Sequence, residues 1–176
     1  MIFLYDLERQ NVLTSDPDFP NFSRVTGRQR SRGVEVEGQW RPTPGATVSL
    51  AYAYIRAKML NDETIPVGTE LQNIRHHNVS LYGSYVVPSG PLANLGGNLG
   101  FVYNSSRNGA VPDVVLYRLP SYILVDAGLS YAFDTWTIGL NVNNLFGERY
   151  FPHSCWADRI TPGQPRNWRL SLSRHF

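Results

Sequence analysis

Apolar and polar residues alternate with a period of two along most of this chain. "GVEVEGQW" places Val34, Val36 and Trp40 on one face and Glu35, Glu37 and Gln39 on the other. "TVSLAYAYI" sets Val48, Leu50, Tyr52 and Tyr54 against Thr47, Ser49, Ala51 and Ala53. The same rhythm returns in "NVSLYGSYVV", "NLGGNLGFVY", "SYILVDAGLSYAF", "WTIGLNVNN" and the closing "RLSLSRHF". Alternation of this kind is the signature of a strand with two unlike faces, and with the opening segment it predicts about eight strands and no helix. The predicted segments 46–58, 76–87, 95–104, 121–133 and 135–144 are near or above the ~9–11 residues that a tilted strand needs to cross a membrane.

The connections carry a second pattern. Three are short, at 41–45, 88–93 and 133–135, and four are long, at 14–31, 59–74, 105–119 and 146–165. Short and long alternate, so one end of an antiparallel sheet carries tight turns and the other carries extended loops. Outer-membrane barrels sort their connections in this way, with short periplasmic turns and longer extracellular loops.

Composition decides which face meets which medium. Charged residues make up 17% of the chain, against about 25% in soluble domains. Aromatic residues make up 12%, and Lys occurs once, at Lys58. The polar faces carry small residues and amides such as Ser49, Ala51, Ser80, Asn98 and Asn141, where a solvated soluble sheet would carry Lys and Glu. The apolar faces carry aromatics toward strand ends, among them Trp40, Tyr54, Tyr103, Phe133, Trp136 and Trp168, as in the girdles of membrane barrels. The apolar face is therefore assigned to lipid and the polar face to the lumen. A soluble β-barrel with Leu50, Tyr52, Leu81 and Phe101 pointing inward is the competing reading.

The net charge of +2, with no basic run, gives no support to nucleic-acid binding. One cysteine, Cys155, can form neither an internal disulfide nor a metal cage. His153 beside Cys155 is a sparse ligand pair, and no catalytic triad spacing surrounds His76 or His77, so neither enzyme chemistry nor a cofactor is expected. Asp126 falls on a polar face, where Arg169 or another inward Arg can pair with it.

Four stretches resemble one family in order and spacing. "RSRGVEVEGQWRPTPGATVSLAYAYIRAKML", "LPSYILVDAGLSYAF", "WTIGLNVNNLFGERYF" and "GQPRNWRLSLSRHF" are similar to successive strands late in the barrel of TonB-dependent outer-membrane receptors of the ferric-siderophore type. The resemblance implies an all-β antiparallel transmembrane barrel segment, residues 1–176 forming the C-terminal part of a barrel of about 22 strands without its plug domain. It implies the outer membrane as location and energy-coupled uptake of ferric siderophores as function. It implies as partners outer-membrane lipid, the siderophore, and TonB through an N-terminal part that these residues lack. Loop residues Arg107, Tyr117, Arg118, Tyr150, Trp156 and Arg159 are the expected ligand contacts, because aromatic and guanidinium groups suit anionic ferric chelates. The terminal Phe176 resembles the signal read by the outer-membrane insertion machinery. A self-contained eight-stranded barrel with a structural or adhesive role is the alternative; its first and last strands would pair.

Overall fold

The structure, a computed structural model, describes residues 1–110, 117–156 and 159–175. Among them the strands run in chain order as β1 (Ile2–Ser15), β2 (Ser23–Trp40), β3 (Ala46–Asn61), β4 (His77–Val86), β5 (Leu95–Asn104), β6 (Arg107–Asn108), β7 (Arg118–Leu119), β8 (Tyr122–Phe133), β9 (Trp136–Asn143), β10 (His153–Trp156), β11 (Arg159–Thr161) and β12 (Asn167–Arg174). Eight of them form one antiparallel sheet in the order β1-β2-β3-β4-β5-β8-β9-β12. Each is hydrogen-bonded to its neighbour in that order, as expected for a chain of hairpins. The sheet is open: β1 and β12 are its two edges and do not pair. A self-contained eight-stranded barrel is thus not what these residues build.

Register confirms the alternation strand by strand. Leu50 lies opposite Leu81, Leu81 opposite Phe101, and Phe101 opposite Val125, giving an apolar row across four strands. On the other side of the same sheet, Ser49 lies opposite Tyr82, Tyr82 opposite Gly100, and Gly100 opposite Asp126. In that row Leu50 is 44% and Leu81 43% exposed while Phe101 and Val125 are half-buried, and on the same face Leu129, Leu170 and Leu172 are more exposed still. A soluble barrel would have buried that face. On the polar side Tyr122, beneath the loops, is buried, whereas Tyr82, nearer the turns, is 43% exposed.

Two expectations are corrected. Residues 14–31 are not a long loop. β1 and β2 pair continuously from Ile2–Val36 up to Ser15–Ser23, interrupted only by a register shift around Val12. The lower part of this hairpin is legible as strand in the sequence; the upper part is not, because "RQRSR" is polar on both faces and the period-two contrast disappears there. Ion pairs join it across the strands, Arg30 and Arg32 to Asp6 and Arg28 to Glu8. At its tip the Asp16 carboxylate accepts the backbone N–H groups of Asp18 and Phe19 at 2.9 and 3.2 Å and Arg24 Nε at 2.9 Å. The partial burial of this carboxylate opposes ionisation, but these donors outweigh it and hold Asp16 below its ordinary pKa. The second correction concerns Asp126. Its Oδ1 accepts the backbone N–H of Asn144 at 2.7 Å, and among the described residues no ion pair joins it to Arg169. The donor is a peptide N–H supplied by the turn that follows β9.

The short connections close the other end of the sheet with left-handed residues: Gly45 at φ 84°, Gly90 at 90°, Asn94 at 66° and Asp134 at 50°. Gly45 is doubly constrained, because a Cβ there would stand 2.2 Å from the carbonyl oxygen of Val86. Gly45→Ala is expected to destabilise a closed barrel carrying this sheet by more than about 1 kcal/mol, read as a lowered urea midpoint after that barrel is refolded into lipid vesicles. A carboxyl-carbon titration is expected to place Asp16 below a free aspartate. Its stabilising share is present above the unfolded-state value and disappears as pH falls through the lowered one.

Candidate functional site

Three long connections converge on the polar face at the loop end of the sheet. They are the 62–76 connection, the β6–β7 hairpin and the segment from Asn144 to Arg166 that contains the β10–β11 hairpin. Arg107 stands at their junction. It is 2% exposed, its Nη2 donates to the carbonyl of Phe151, and its guanidinium lies over the ring of Tyr122 at 5.9 Å. Tyr122 in turn meets Tyr150 at 4.7 Å between centroids. Arg75 adds a parallel clamp, its Nη2 donating to the carbonyl of Pro152 at 2.5 Å. Burial, and then the neighbouring Arg75 charge, push the Arg107 guanidinium below its ordinary pKa, while Tyr122 acts in the opposite direction.

Amides and a hydroxyl complete the bracing. Asn73, left-handed at φ 60°, exchanges two hydrogen bonds with the backbone of Ser154, Nδ2 to the carbonyl at 2.5 Å and Oδ1 from the N–H at 3.1 Å. The Ser154 hydroxyl donates to the carbonyl of Gly109 at 2.5 Å. Asn144, buried and left-handed at φ 52°, donates to the carbonyls of Glu148 and Gln164 and accepts the N–H of Glu148. One side chain thereby closes the turn after β9 and ties it to the approach to β12.

The sequence-expected contacts divide by position. Arg107 is buried bracing. Tyr150 lies flat on Gly163, where a Cβ would stand 2.3 Å from its ring, and its carbonyl accepts the Gly163 N–H. Tyr117 covers Gly109 in the same manner and donates its hydroxyl to that residue's carbonyl at 2.9 Å. Arg118 and Arg159 stand exposed on the two small hairpins, Arg118 touching the Ser106 hydroxyl at 3.3 Å. Trp156 is paired with Arg159 through the backbone, and its side chain lies outside the described residues, as does Phe176. Asn73, Arg75, Asn144 and Ser154 were not singled out from the sequence. Only the Asn that precedes "LFGER" carried a local hint, as a residue suited to a left-handed turn.

The site is suited to holding surfaces together and to presenting cations at their rim. Among the described residues, no group of three or more His, Cys, Asp or Glu is placed to hold a metal ion. Cys155 is exposed, and His153 Nε2 meets the Thr161 hydroxyl at 3.3 Å.

Residues 2–145 match the family described as TonB dependent receptor-like, beta-barrel. The chain is 35% identical over 173 residues to the metal-pseudopaline receptor CntO of Pseudomonas aeruginosa, covering 98% of this chain and 24% of that protein. It is 32% identical to the ferrichrome outer membrane transporter/phage receptor of Escherichia coli K12, covering 84% of this chain and 20% of that protein. Among solved structures, the pyoverdine outer membrane receptor FpvA of P. aeruginosa superposes with a TM-score of 0.85 at 20% identity, covering 99% of this chain and 27% of that one. The ferric-catecholate import receptor Fiu of E. coli K12 superposes with a TM-score of 0.81 at 23% identity, covering 99% and 25%. These likenesses show the barrel fold, and the chain spans about a quarter of the length of the curated relatives it matches.

Arg107→Ala leaves the Phe151 carbonyl and the Tyr122 face without a partner. It is expected to loosen the loop cluster by about 1–3 kcal/mol, read as faster amide exchange at Asn73 and Ser154. Arg118→Ala, on an exposed hairpin, is expected to leave that exchange unchanged.

Proposed function

The chain belongs to the TonB-dependent receptor β-barrel family, and we propose that it is the C-terminal sector of the wall of an outer-membrane receptor that imports ferric siderophores. Family membership sets it in the bacterial outer membrane, and its relatives are receptors and transporters. The observation that carries the cargo class is the run of relatives named for iron or metal chelates: metal-pseudopaline, ferrichrome and ferrioxamine B.

The open sheet supports the placement as a sector. Unpaired backbone groups on β1 and β12 would be costly in hydrocarbon, so this sheet is stable in a membrane only as an arc of a larger closed barrel. Eight strands are about a third of a barrel of the 22-stranded transporter type. In the whole receptor, coupling to TonB would come from chain outside these residues, and Phe176 would serve insertion.

Within the sector, Arg118 and Arg159 are the contacts for an anionic ferric chelate, with Trp156 and Tyr117 beside them along the two hairpins. Arg107 and Tyr150 hold those hairpins in place. Guanidinium groups on a rigid base retain their orientation, which limits the entropy lost when an anion binds.

A receptor carrying this sector, expressed in a strain stripped of its own siderophore receptors, is expected to restore iron-limited growth on at least one ferric siderophore. Arg118→Ala combined with Arg159→Ala is expected to weaken binding of that chelate about tenfold at an unchanged level in the outer membrane. Growth on none of a panel of ferric chelates overturns the cargo class. Full affinity in the double variant overturns the assignment of the two arginines.

A further inference from the structure

The lipid-facing side of β1–β3 carries a cluster of cations that the uptake reading does not use. Leu4, Val34, Tyr54 and His77 lie on one register row across four strands, and Tyr54 meets the His77 ring at 5.2 Å. This row ends the apolar band on that side. The next outward-facing row toward the loops is Asp6, Arg32 and Arg56, and the one beyond it is Glu8, Arg30 and Lys58. At the rise of a strand, these rows stand about 7 and 13 Å further along than Tyr54. A cleft of about 690 Å³ runs between Asp6, Arg30, Arg32, Tyr54, Arg56 and Lys58.

The acids do not cancel the cations. Asp6 takes Arg30 Nε at 2.6 Å and Arg32 Nε at 3.0 Å on one carboxylate. Glu8 is committed to Arg28 at 3.6 Å. Glu70, whose backbone bridges Lys58, directs its carboxylate to His76 Nε2 at 3.3 Å. No ion pair joins Arg56 or Lys58 to any described acid. Counting Arg28, Arg30, Arg32, Arg56 and Lys58 against Asp6, Glu8 and Glu70, with His76 neutral, leaves an excess of two positive charges. They sit on the side away from the lumen, directly above the row of Leu4, Val34, Tyr54 and His77 that ends the apolar band.

We propose that this cleft is a binding site for the phosphate groups of an outer-leaflet lipid headgroup, with Arg56 and Lys58 as its free cations and the Asp6-tethered Arg30 and Arg32 as its fixed wall. Guanidinium groups match phosphate oxygens two at a time, and the single Lys of the chain adds a point charge. Tyr54 packs beneath against the start of the acyl region. The proposal rests on the outward assignment of the apolar face and not on the siderophore.

The test is native mass spectrometry of the full-length receptor titrated with diphosphorylated lipid A. Arg56→Gln with Lys58→Gln is expected to weaken that binding at least tenfold. Arg41→Gln, at the turn end of the sheet, is expected to leave it unchanged, and dephosphorylated lipid A is expected to bind poorly to every variant. Wild-type affinity in the double variant, or equal binding of the dephosphorylated lipid, overturns the site. Equal occupancy by millimolar inorganic phosphate overturns the lipid as its source. Siderophore uptake enters none of these readouts, so failure here and failure of the cargo assignment are separable.

Discussion

A strand in hydrocarbon has no water to satisfy its backbone, and this requirement underlies everything else in the structure. It is met through antiparallel pairing along one sheet, in which every strand between β1 and β12 has a neighbour on each side. Pairing of that kind makes side chains alternate with a period of two, so each strand must offer one face to lipid and the other to the lumen. The separation of apolar rows from polar rows follows from this. So does the placement of irregular backbone beyond the ends of the apolar band, where loops and turns can find water or one another.

The loops solve a related problem with fewer regular bonds. Their carbonyls, at Phe151, Pro152, Ser154 and Gly109, are met by side-chain donors from distant segments rather than by a ladder. Two arginines serve better here than two neutral donors, because each reaches across several ångströms and ends in a planar fork. The arrangement has a cost: Arg107 Nε and Nη1 and Arg75 Nε are buried without a protein partner. A tie that strong in geometry and that expensive in desolvation is expected where loops must keep a fixed shape above a lumen.

The strands were legible in the sequence because their pattern is local. Five predicted segments match β3, β4, β5, β8 and β9 to within three residues at each end. The lower part of the β1–β2 hairpin is legible as strand in the opening segment and "GVEVEGQW"; its upper part escaped because "RQRSR" has no apolar face to announce a strand. The bracing escaped for a different reason. Asn73 and Ser154 are 81 residues apart, and Arg107 and Phe151 are 44 apart. Nothing in the neighbourhood of Arg107 distinguishes a buried clamp from an exposed ligand contact. Residue type suggested charge for a chelate; only the fold shows that this charge is spent on a carbonyl and a ring.

Parity along the strands then sorts identical side chains into different tasks. Arg30, Arg32, Arg56 and Lys58 share the face of Val34 and Tyr54, so they leave the barrel with the lipid-facing residues. A shift of one residue would send all four toward the lumen. The irregularities in these strands fall where they do no such harm: between Arg28 and Gln29 on β2, and from Arg9 to Leu13 on β1. Register is therefore kept from the apolar band up through Glu8, Arg30 and Lys58, and lost just past them. Cations carried outward over that unbroken stretch stand just beyond the last apolar row, whereas Arg118 and Arg159, on separate hairpins, belong to the loop end. On the two readings proposed above, the same guanidinium chemistry would serve two anions on opposite sides of one wall, and the two-residue repeat would decide which.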